Sequence, residues 1–369
     1  MNRKLFLLFL IVTFIGSSNF CSKVSKSKPG LVIIFLAGKV EVQRNGKLIP
    51  VSSGSVLQKN DTIRTNSGTL DLQTSLGHVI RLKSYTNLNI DSLHGEGSEE
   101  TSLAVKTGLL LVKTNKLSQK EQFKISTPTA IAGVRGTAFS FEVVQGTLPK
   151  IKVYEGMVAM TLKAPVSQEI SADKIAENPN YQKFQKLLEE HEIVISEEEE
   201  AEVKPEFDQL AQTILNRLDD IAVTQSIESF RNDLVRTVQK GKFERDPRES
   251  ADLETLVKVD ENLISGSLDN KYLTKEIEKD QSDKLNIAFD KLESDAGSQK
   301  LASEEEIQKY YSVLESVHKV DKTVLHGAVV AQVGDTMLVH STKGIFRLDI
   351  TEVEYIQYKN FDVITKKKK

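Results

Sequence analysis

The chain has 369 residues, of which 39% are hydrophobic, and this content is enough to bury a sizeable core and excludes a disordered chain. The length predicts two or three domains rather than one. Cys21 is the only cysteine, so the composition excludes an intrachain disulfide, and the net charge of −3 is informative only when it is divided along the chain.

The first 21 residues have the three parts of an export signal. A basic start at Arg3 and Lys4 precedes an apolar core from Leu5 to Ile15, and a polar exit leads to Cys21. The core is too short for a membrane-spanning helix, which needs about 20 residues. The segment resembles a bacterial lipoprotein signal, closest to the loose signals of spirochaetes, and this resemblance implies that the Cys21 thiol is acylated and anchors the protein to a membrane.

Two other outcomes stay open for this segment. Cleavage after Ser18 by an ordinary signal peptidase would leave a soluble periplasmic protein, and an uncleaved segment would itself be the anchor. All three outcomes take the chain out of the cytoplasm. We therefore expect a lipid-anchored protein of the cell envelope, at the outer membrane or periplasmic face, with residues 1–21 as the signal and 22–30 as a linker.

Charge divides the chain into three regions. Residues 1–170 carry a net charge of +10, residues 171–320 carry −15 and residues 321–369 carry +2. We interpret the acidic middle as a solvated helical surface. The basic front is then a β surface with an attraction for anionic headgroups or for the acidic middle itself.

Residues 31–165 have the pattern of an all-β domain. Apolar residues such as Leu70, Leu72, Phe139 and Phe141 alternate with polar neighbours, which predicts short strands with one buried and one solvent-exposed face. Turn signals recur at short intervals between these runs, at Asn45-Gly46, Asn60-Asp61, Asn66-Ser67-Gly68 and Glu155-Gly156.

The most specific stretch of this region is STPTAIAGVRGTAFSFEVV, residues 126–144. Its Thr-Pro step, Val-Arg-Gly-Thr core and valine-rich end resemble the signature of the FecR family, named for a periplasmic iron-dicitrate sensor. The resemblance extends to residues 38–90, where Asn60 replaces the usual glycine before an Asp-Thr-Ile-Arg-Thr segment, and to a closing hairpin at 152–160. Several ordered motifs across residues 31–162 argue against coincidence.

The residues of this motif also have structural roles that follow from their chemistry. Pro128 lacks a backbone N–H, so it is expected to end the strand before it. Gly133 and Gly136 allow a positive φ or a close backbone approach, and the Thr137 hydroxyl can bond nearby backbone groups.

Arg135, Gly136 and Thr137 are the candidates for contact with a partner. For Arg135 the alternative is a structural role, in which its planar set of donors anchors a neighbouring loop. The resemblance implies a twisted, solenoid-like stack of short strands outside the cytoplasm. The archetypal FecR regulator adds a cytoplasmic anti-sigma segment and a spanning helix, for which we see no room ahead of Leu31, so we do not expect this chain to control a sigma factor.

Residues 166–322 change to helical spacing. A stripe from Phe207 to Val238 predicts one helix of about ten turns that begins at Pro205 and ends at Gly241. Shorter stripes follow from Leu285 to Leu292 and from Ile307 to Val317. Together the stripes predict an antiparallel hairpin or small bundle, with Ser196 to Glu202 as an acidic linker. Core packing explains the stripes best, but a second copy of the chain could also pack on them, so a homo-oligomer through this region stays open.

Residues 323–369 return to a β pattern. We predict four or five short strands, with hairpins at Gly334-Asp335 and at Thr342-Lys343-Gly344. The segment looks like a small SH3-like barrel, a kind of domain that usually mediates contacts. The closing run Lys366 to Lys369 is a solubilising tail or a contact for anionic lipid.

Motifs for catalysis or metal binding are missing from the sequence. The six histidines have no pair at metal-ligand spacing, and there is no nucleophile elbow, phosphate-binding loop or metalloprotease helix. The run Glu197 to Glu200 lacks the spacing of a calcium loop. With no tryptophan and few aromatic residues among the basic strands, the sequence does not favour nucleic-acid binding. We expect no cofactor, no metal and no enzymatic activity.

Two functional classes fit these features. The first is a non-enzymatic, lipid-anchored envelope protein that binds or scaffolds an envelope partner through the FecR-like domain, and it is the one we favour from the sequence. The second is an extracytoplasmic sensor in a signal-transduction pathway linked to metal or siderophore uptake. An envelope hydrolase is a weaker third class.

Overall fold

A computed structural model describes residues 30–95, 99–116, 121–134, 136–143, 148–165, 177–220 and 223–358. These residues combine large β-sheets with α-helices, which confirms the predicted mixture of β and α structure. Cys21, Arg135 and the tail Lys366 to Lys369 lie outside the described residues.

The described strands are β1 Leu31–Ala37, β2 Glu41–Arg44, β3 Lys47–Ile49, β4 Val56–Leu57, β5 Thr62–Arg64, β6 Thr69–Thr74, β7 Val79–Leu82, β8 Asn87–Ser92, β9 Glu100–Lys113, β10 Gln122–Ser126, β11 Ala130–Val134, β12 Ala138–Val143, β13 Pro149–Glu155, β14 Met157–Leu162, β15 Ile193–Ser196, β16 Glu199–Val203, β17 Val238–Lys242, β18 Glu315–Lys319, β19 Val324–Val333, β20 Thr336–Ser341, β21 Gly344–Asp349 and β22 Val353–Tyr358. The described α-helices are α1 Pro179–Glu190, α2 Pro205–Leu215, α3 Val223–Thr237, α4 Pro247–Glu254, α5 Glu261–Leu268, α6 Thr274–Ser298 and α7 Glu304–Tyr311. A 3₁₀-helix, Ile350–Glu352, precedes β22.

Strands β1 to β17 form two layers that share β9. Sheet 1 has the order β4-β1-β6-β7-β9-β12-β13-β16-β17, and all of its neighbours are antiparallel. Sheet 2 has the order β3-β2-β5-β8-β9-β10-β11-β14-β15, with only β9 and β10 parallel. The largest apolar core contains residues from both sheets, so the two layers pack face to face.

The long strand β9 passes from sheet 2 to sheet 1 at Gly108. Before this residue β9 pairs with β8 and β10, and from it onward β9 pairs with β7 and β12. Gly108 has φ +111°, and a Cβ atom there would lie 2.4 Å from the Cα of Thr86. Glycine is therefore required at this bend, both for its φ and for the close approach of the two backbones.

The two sheets continue beyond residue 165 and include the segment that the sequence predicts as an acidic linker. Residues 196–202 instead lie in the turn and strands of β15 and β16. Ala201 and Val203 point into the core, whereas Glu200 pairs with Lys150 of β13 and Glu199 with Lys240 of β17. Alternation of acidic and apolar residues on a strand with one solvent-exposed face explains why this stretch resembles a solvated linker in sequence.

The alternating apolar residues of the β region are buried as predicted. Leu70, Leu72, Phe139 and Phe141 are all fully buried between the sheets. The prediction of one solvent-exposed face is wrong for β6 and β7 of sheet 1, because residues 243–277 cover the outer face there.

The single long helix predicted after Pro205 is instead two helices. A turn follows Leu215, and α3 then reverses direction and packs on α2 and α1, with the Phe184 and Phe230 rings 5.2 Å apart. A straight helix of that length would extend roughly 50 Å and carry half of its apolar stripe past the end of the sheets. The break keeps both halves of the stripe in the main core.

Helices α4 to α7 pack on sheets rather than forming the predicted bundle. Leu285, Phe289 and Leu292 of α6 are buried as their spacing predicts, against β20 and β21. The last predicted stripe is interrupted, since α7 ends at Ser312 in a left-handed conformation and Val317 belongs to β18. No helix in the described part of the chain is both long and apolar enough to cross a membrane.

The C-terminal strands form a third sheet, sheet 3, in the order β21-β20-β19-β18-β22. Hairpins connect β19 to β20 at Gly334-Asp335 and β20 to β21 at residues 342–343, which confirms the predicted turns. One face of sheet 3 packs against α4, α6 and α7, and the other buries Val317, Met337 and Val339. Within the described ranges β21 and β22 do not pair with each other, so the sheet does not close into a barrel.

Candidate functional site

The Thr-Pro motif forms the turn between β10 and β11, which are neighbouring strands of sheet 2. β10 ends at Ser126, one residue before Thr127-Pro128, as the missing N–H of proline predicts. The Thr127 hydroxyl then accepts hydrogen bonds from the backbone N–H groups of Thr129 and Ala130, at 3.2 and 3.0 Å. The chain changes layer one strand later, because β11 runs in sheet 2 and β12 in sheet 1.

The two motif glycines differ in role. Gly136 has φ +66°, as predicted, and its carbonyl oxygen lies 2.7 Å from where a Cβ on Gly156 would be placed. The prediction for Gly133 is wrong, because it sits within β11 and a Cβ there would meet only the Ala159 carbonyl oxygen, at 3.8 Å. Close backbone packing therefore explains Gly136 and Gly156, but not Gly133.

Thr137 is buried and bonded to Thr114 at the end of β9. The Thr114 N–H donates to the Thr137 carbonyl at 2.8 Å, and the Thr137 N–H donates to the Thr114 hydroxyl at 2.9 Å. These bonds fix the corner where β12 begins. Arg135 lies outside the described residues, and contact of Arg135, Gly136 and Thr137 with a partner stays a prediction.

Asn60 adopts the left-handed conformation that glycine favours, with φ +69°. Asparagine tolerates this conformation better than other residues that have a Cβ. The departure from the family pattern at this turn therefore preserves its geometry. The following Asp61 is buried and accepts two hydrogen bonds from Arg44, at 2.8 and 2.7 Å.

The outer face of sheet 1 carries a buried ion pair. Asp71 of β6 and Arg81 of β7 are direct cross-strand neighbours, and the two side chains are each 1% exposed. Arg81 donates from Nε and Nη2 to the two oxygens of Asp71, at 2.8 and 2.7 Å. Burial lowers the pKa of Arg81, but the charge and hydrogen bonds of Asp71 outweigh it, so the pKa lies above its usual value.

The remaining donors of Arg81 bind the C-terminal end of α4. Its Nη1 donates to the Thr255 hydroxyl at 2.9 Å and to the Asp252 carbonyl at 3.2 Å, and its Nη2 donates to the Thr255 carbonyl at 3.0 Å. Carbonyl groups at a helix C-terminus lack partners within the helix and carry partial negative charge. A buried arginine therefore satisfies the end of α4 and fixes it on sheet 1.

Three further groups of polar contacts connect the same surfaces. Gln73 donates to the Val259 carbonyl and accepts from the Val259 N–H, at 2.9 and 2.8 Å. Lys83 binds both oxygens of Asp252. Glu249 accepts from Lys152 and from the hydroxyl of Tyr154. We call the contacts that Asp71, Gln73, Arg81, Lys83, Lys152 and Tyr154 make or support with residues 249–259 the polar seam.

Apolar residues fill the space around the polar seam. They are Val32, Ile34, Val79 and Leu111 of sheet 1 with Leu253, Leu256, Val259 and Ile264 of the covering segment. The ion pairs of the seam join the basic front of the chain to its acidic middle, which confirms the predicted attraction between these regions.

The polar seam does not follow from the sequence pattern. Asp71 and Arg81 alternate with buried leucines and isoleucines, which is the pattern of a solvent-exposed face. One signal was present: β7 has the sequence Val-Ile-Arg-Leu, and a nearly continuous apolar run indicates a strand buried on both faces.

His78 is a second buried polar group near the seam. Its Nδ1 accepts from the backbone N–H of Asn115 at 3.1 Å, and its ring packs edge-on against Phe123. Burial lowers the pKa of His78 to about 4. Across the residues that the structure describes, no three His, Cys, Asp or Glu side chains are grouped so as to hold a metal ion.

Residues 61–159 match the model of the family described as FecR protein. The chain contains a FecR domain. Asp71, Gln73, Arg81, Lys83, Lys152 and Tyr154 lie inside the matched residues, whereas the segment that they bind, residues 249–259, lies outside them. The polar seam therefore joins the FecR domain to the rest of the chain.

Two crystal structures of a candidate anti-sigma factor from Parabacteroides distasonis, at 1.65 and 2.50 Å resolution, are similar to part of the chain. In each comparison the identity is 16% and the TM-score 0.28, over 38% of this chain and 54% of the other. The chain thus spans about half the length of these structures. No curated protein matches it.

Proposed function

We propose that the chain is an extracytoplasmic signal-transduction protein in which the FecR domain recognises a partner. The observation that carries this proposal is the match of residues 61–159 to the FecR family. It supports the sensor hypothesis of the sequence analysis better than the scaffold hypothesis. The polar seam supplies a physical route for the signal, because its hydrogen bonds and ion pairs fix residues 249–259 on the FecR domain. A change in the FecR domain that breaks these bonds would also release residues 249–259.

The cellular setting is part of the same proposal. We propose that Cys21 is acylated after export, that the protein is anchored at the outer membrane or periplasmic face, and that its pathway is linked to metal or siderophore uptake. The partner is an envelope protein, and neither an enzymatic activity nor a nucleic acid is part of the mechanism. The basic start, apolar core and lone cysteine of the first 21 residues support the anchor.

Two structural assignments accompany the function. We propose that the layers of the FecR domain are a twisted, solenoid-like stack, since from β10 onward the chain alternates between sheets two strands at a time. We propose that sheet 3 is related to SH3-like barrels and mediates contacts. A second copy of the chain is a candidate partner for the exposed helical surfaces.

Deletion of the gene under iron limitation tests the signalling role. We expect the transcripts of uptake genes to change relative to the parent strain and to return when the wild-type gene is restored. Unchanged transcripts would contradict the proposal. Mass spectrometry of the mature N-terminus tests the anchor, with Cys21→Ala as the control that cannot be acylated.

A further inference from the structure

A cleft of about 620 Å³ lies where the FecR domain, α4 and sheet 3 meet. Ser67, Thr69 and Lys83 line it from the FecR domain, and residues 246–252 and 329–335 line it from α4 and sheet 3. Ligand sites usually have volumes of roughly 300 to 1,000 Å³ and often lie between domains. The position and size of the cleft therefore fit a ligand site.

Arg248 lines this cleft and has unused hydrogen-bonding capacity. Its side chain is 34% exposed, and its nearest carboxylate contact is Asp246 Oδ2, 3.7 Å from Nη2, which is too long for a hydrogen bond. Its Nε is buried and has no partner within the described ranges. A guanidinium has five N–H donors, and a mostly buried one normally uses them. An acceptor supplied by a ligand would explain this arrangement.

Most carboxylates around the cleft already have partners. Glu249 binds Lys152 and Tyr154, and Asp252 binds Lys83. Asp246 accepts from the backbone N–H of Arg248 at 2.8 Å, which caps α4. No hydrogen bond or ion pair connects the side chain of Asp335, in the turn between β19 and β20, to any other described residue.

The two side chains of the cleft with unused hydrogen-bonding capacity, Arg248 and Asp335, have opposite charges. Arg248 suits a carboxylate, which it can bind with two parallel hydrogen bonds. Asp335 suits an ammonium group. A phosphate dianion is disfavoured, because Asp246, Glu249 and Asp252 surround Arg248 with negative charge.

The dimensions favour a short peptide over a single amino acid. A sphere of 620 Å³ is roughly 11 Å across, and an extended tripeptide spans roughly 10 Å. We propose that this cleft binds a short peptide by its two ends, with the C-terminal carboxylate on Arg248 and the N-terminal ammonium on Asp335. The inference rests on the proposed function for its biological meaning, since it gives the sensor a soluble ligand.

Calorimetric titration of the purified full-length protein with trialanine tests the proposal. We expect trialanine to bind, and we expect trialanine amide and N-acetyl-trialanine to bind about ten- to a hundred-fold more weakly, because each lacks one of the two charges. Inorganic phosphate should give no heat of binding. Absence of trialanine binding, equal affinity of the capped peptides, or tighter binding of phosphate would each overturn the inference.

Variants of the protein test which residue binds which end of the peptide. Arg248→Gln should weaken trialanine binding about ten-fold or more, to an affinity close to that of the wild type for trialanine amide. Asp335→Asn should weaken trialanine binding to an affinity close to that of the wild type for N-acetyl-trialanine. Arg231→Gln, which removes an exposed arginine of α3, is the matched control and should bind as the wild type does. Thermal unfolding checks that each variant is folded. Wild-type affinity in a folded Arg248→Gln variant would refute the site, whereas unchanged transcripts in the deletion strain would refute the signalling role instead.

Discussion

The two faces of sheet 1 are both buried at β6 and β7, but different side chains bury them. Leu70, Leu72 and Ile80 point inward and meet the apolar residues of sheet 2. Asp71 and Arg81 alternate with them on the same strands and point outward, where Asp71 holds Arg81 and Arg81 binds residues 252–255. Apolar contacts tolerate small shifts, whereas a forked guanidinium accepts few arrangements. The inner face therefore supplies most of the burial, and the outer face specifies where α4 docks.

The largest expected effect comes from breaking the ion pair on the outer face. Arg81→Met leaves the Asp71 carboxylate buried without a partner and should lower the free energy of unfolding by about 3 to 5 kcal/mol. Urea denaturation measures this change. The double variant Arg81→Met with Asp71→Leu should regain part of the loss, because it leaves no unpaired charge, although the carbonyl groups at the end of α4 still lack the donors of Arg81. A double variant as unstable as the single one would contradict this view of the seam.

Acid should lower the stability of the folded protein through protonation of His78. The pKa of His78 is about 4 when folded, against about 6.5 in an unfolded chain. The folded state therefore binds fewer protons between these values, so stability is full above about pH 6.5 and falls as the pH approaches 4, by on the order of 3 kcal/mol. Urea denaturation across this range should show the loss.

His78→Phe should reduce the acid-dependent loss, and His191→Gln, at the end of α1, is the control that should retain it. Burial lowers the pKa of His340 as well, so we expect a reduction and not a complete loss of the pH dependence. An unchanged slope in the His78→Phe variant would show that His78 does not couple folding to pH.

Removing the Gln73 side chain should destabilise the contacts on the outer face of sheet 1 more than the packing on its inner face. Gln73→Ala leaves the N–H and C=O groups of Val259 without their side-chain partner, at a cost of about 2 kcal/mol. Hydrogen exchange should show faster exchange of the Val259 amide, while amides of β6 and β7 exchange at rates limited by global unfolding. Equal acceleration at all of these amides would mean that the two faces unfold as one unit.

The smallest expected effect is at the corner between the sheets. Gly156→Ala places a Cβ 2.7 Å from the Gly136 carbonyl at a φ of +79° and should cost about 1 kcal/mol or more. Gly241→Ala is the matched control, since nothing lies within 4 Å of its Cβ position and its φ is ordinary. Thermal unfolding of the two variants measures the difference, and equal midpoints would argue against close packing at the corner.

Local patterns predicted the parts of the fold that depend on near neighbours. Asn45-Gly46 gives two residues with positive φ and a tight hairpin, and the Gly334-Asp335 turn connects β19 to β20. The FecR motif predicted the turn after β10 at Thr127-Pro128 and the positive φ of Gly136 for the same reason. Each of these features is specified within a few residues of sequence.

The polar seam could not be predicted in this way. Arg81 and Thr255 are 174 positions apart in sequence, and no period or turn signal links them. The break after Leu215 was missed because a helical stripe records which residues face a core, and not where that core ends. The acidic strand β16 was missed because half of its residues face solvent and the stretch contains few apolar ones.

The cover on sheet 1 also determines the order in which the chain can fold. β7 ends at Leu82 and α4 begins at Pro247, so β7 emerges well before α4 when the chain is delivered from its N-terminus. Until α4 is in place, Arg81 and Asp71 are exposed to solvent together with the apolar side chains of Val79 and Leu111. Until α4 docks, the FecR domain therefore has an incomplete surface that holdase chaperones can recognise.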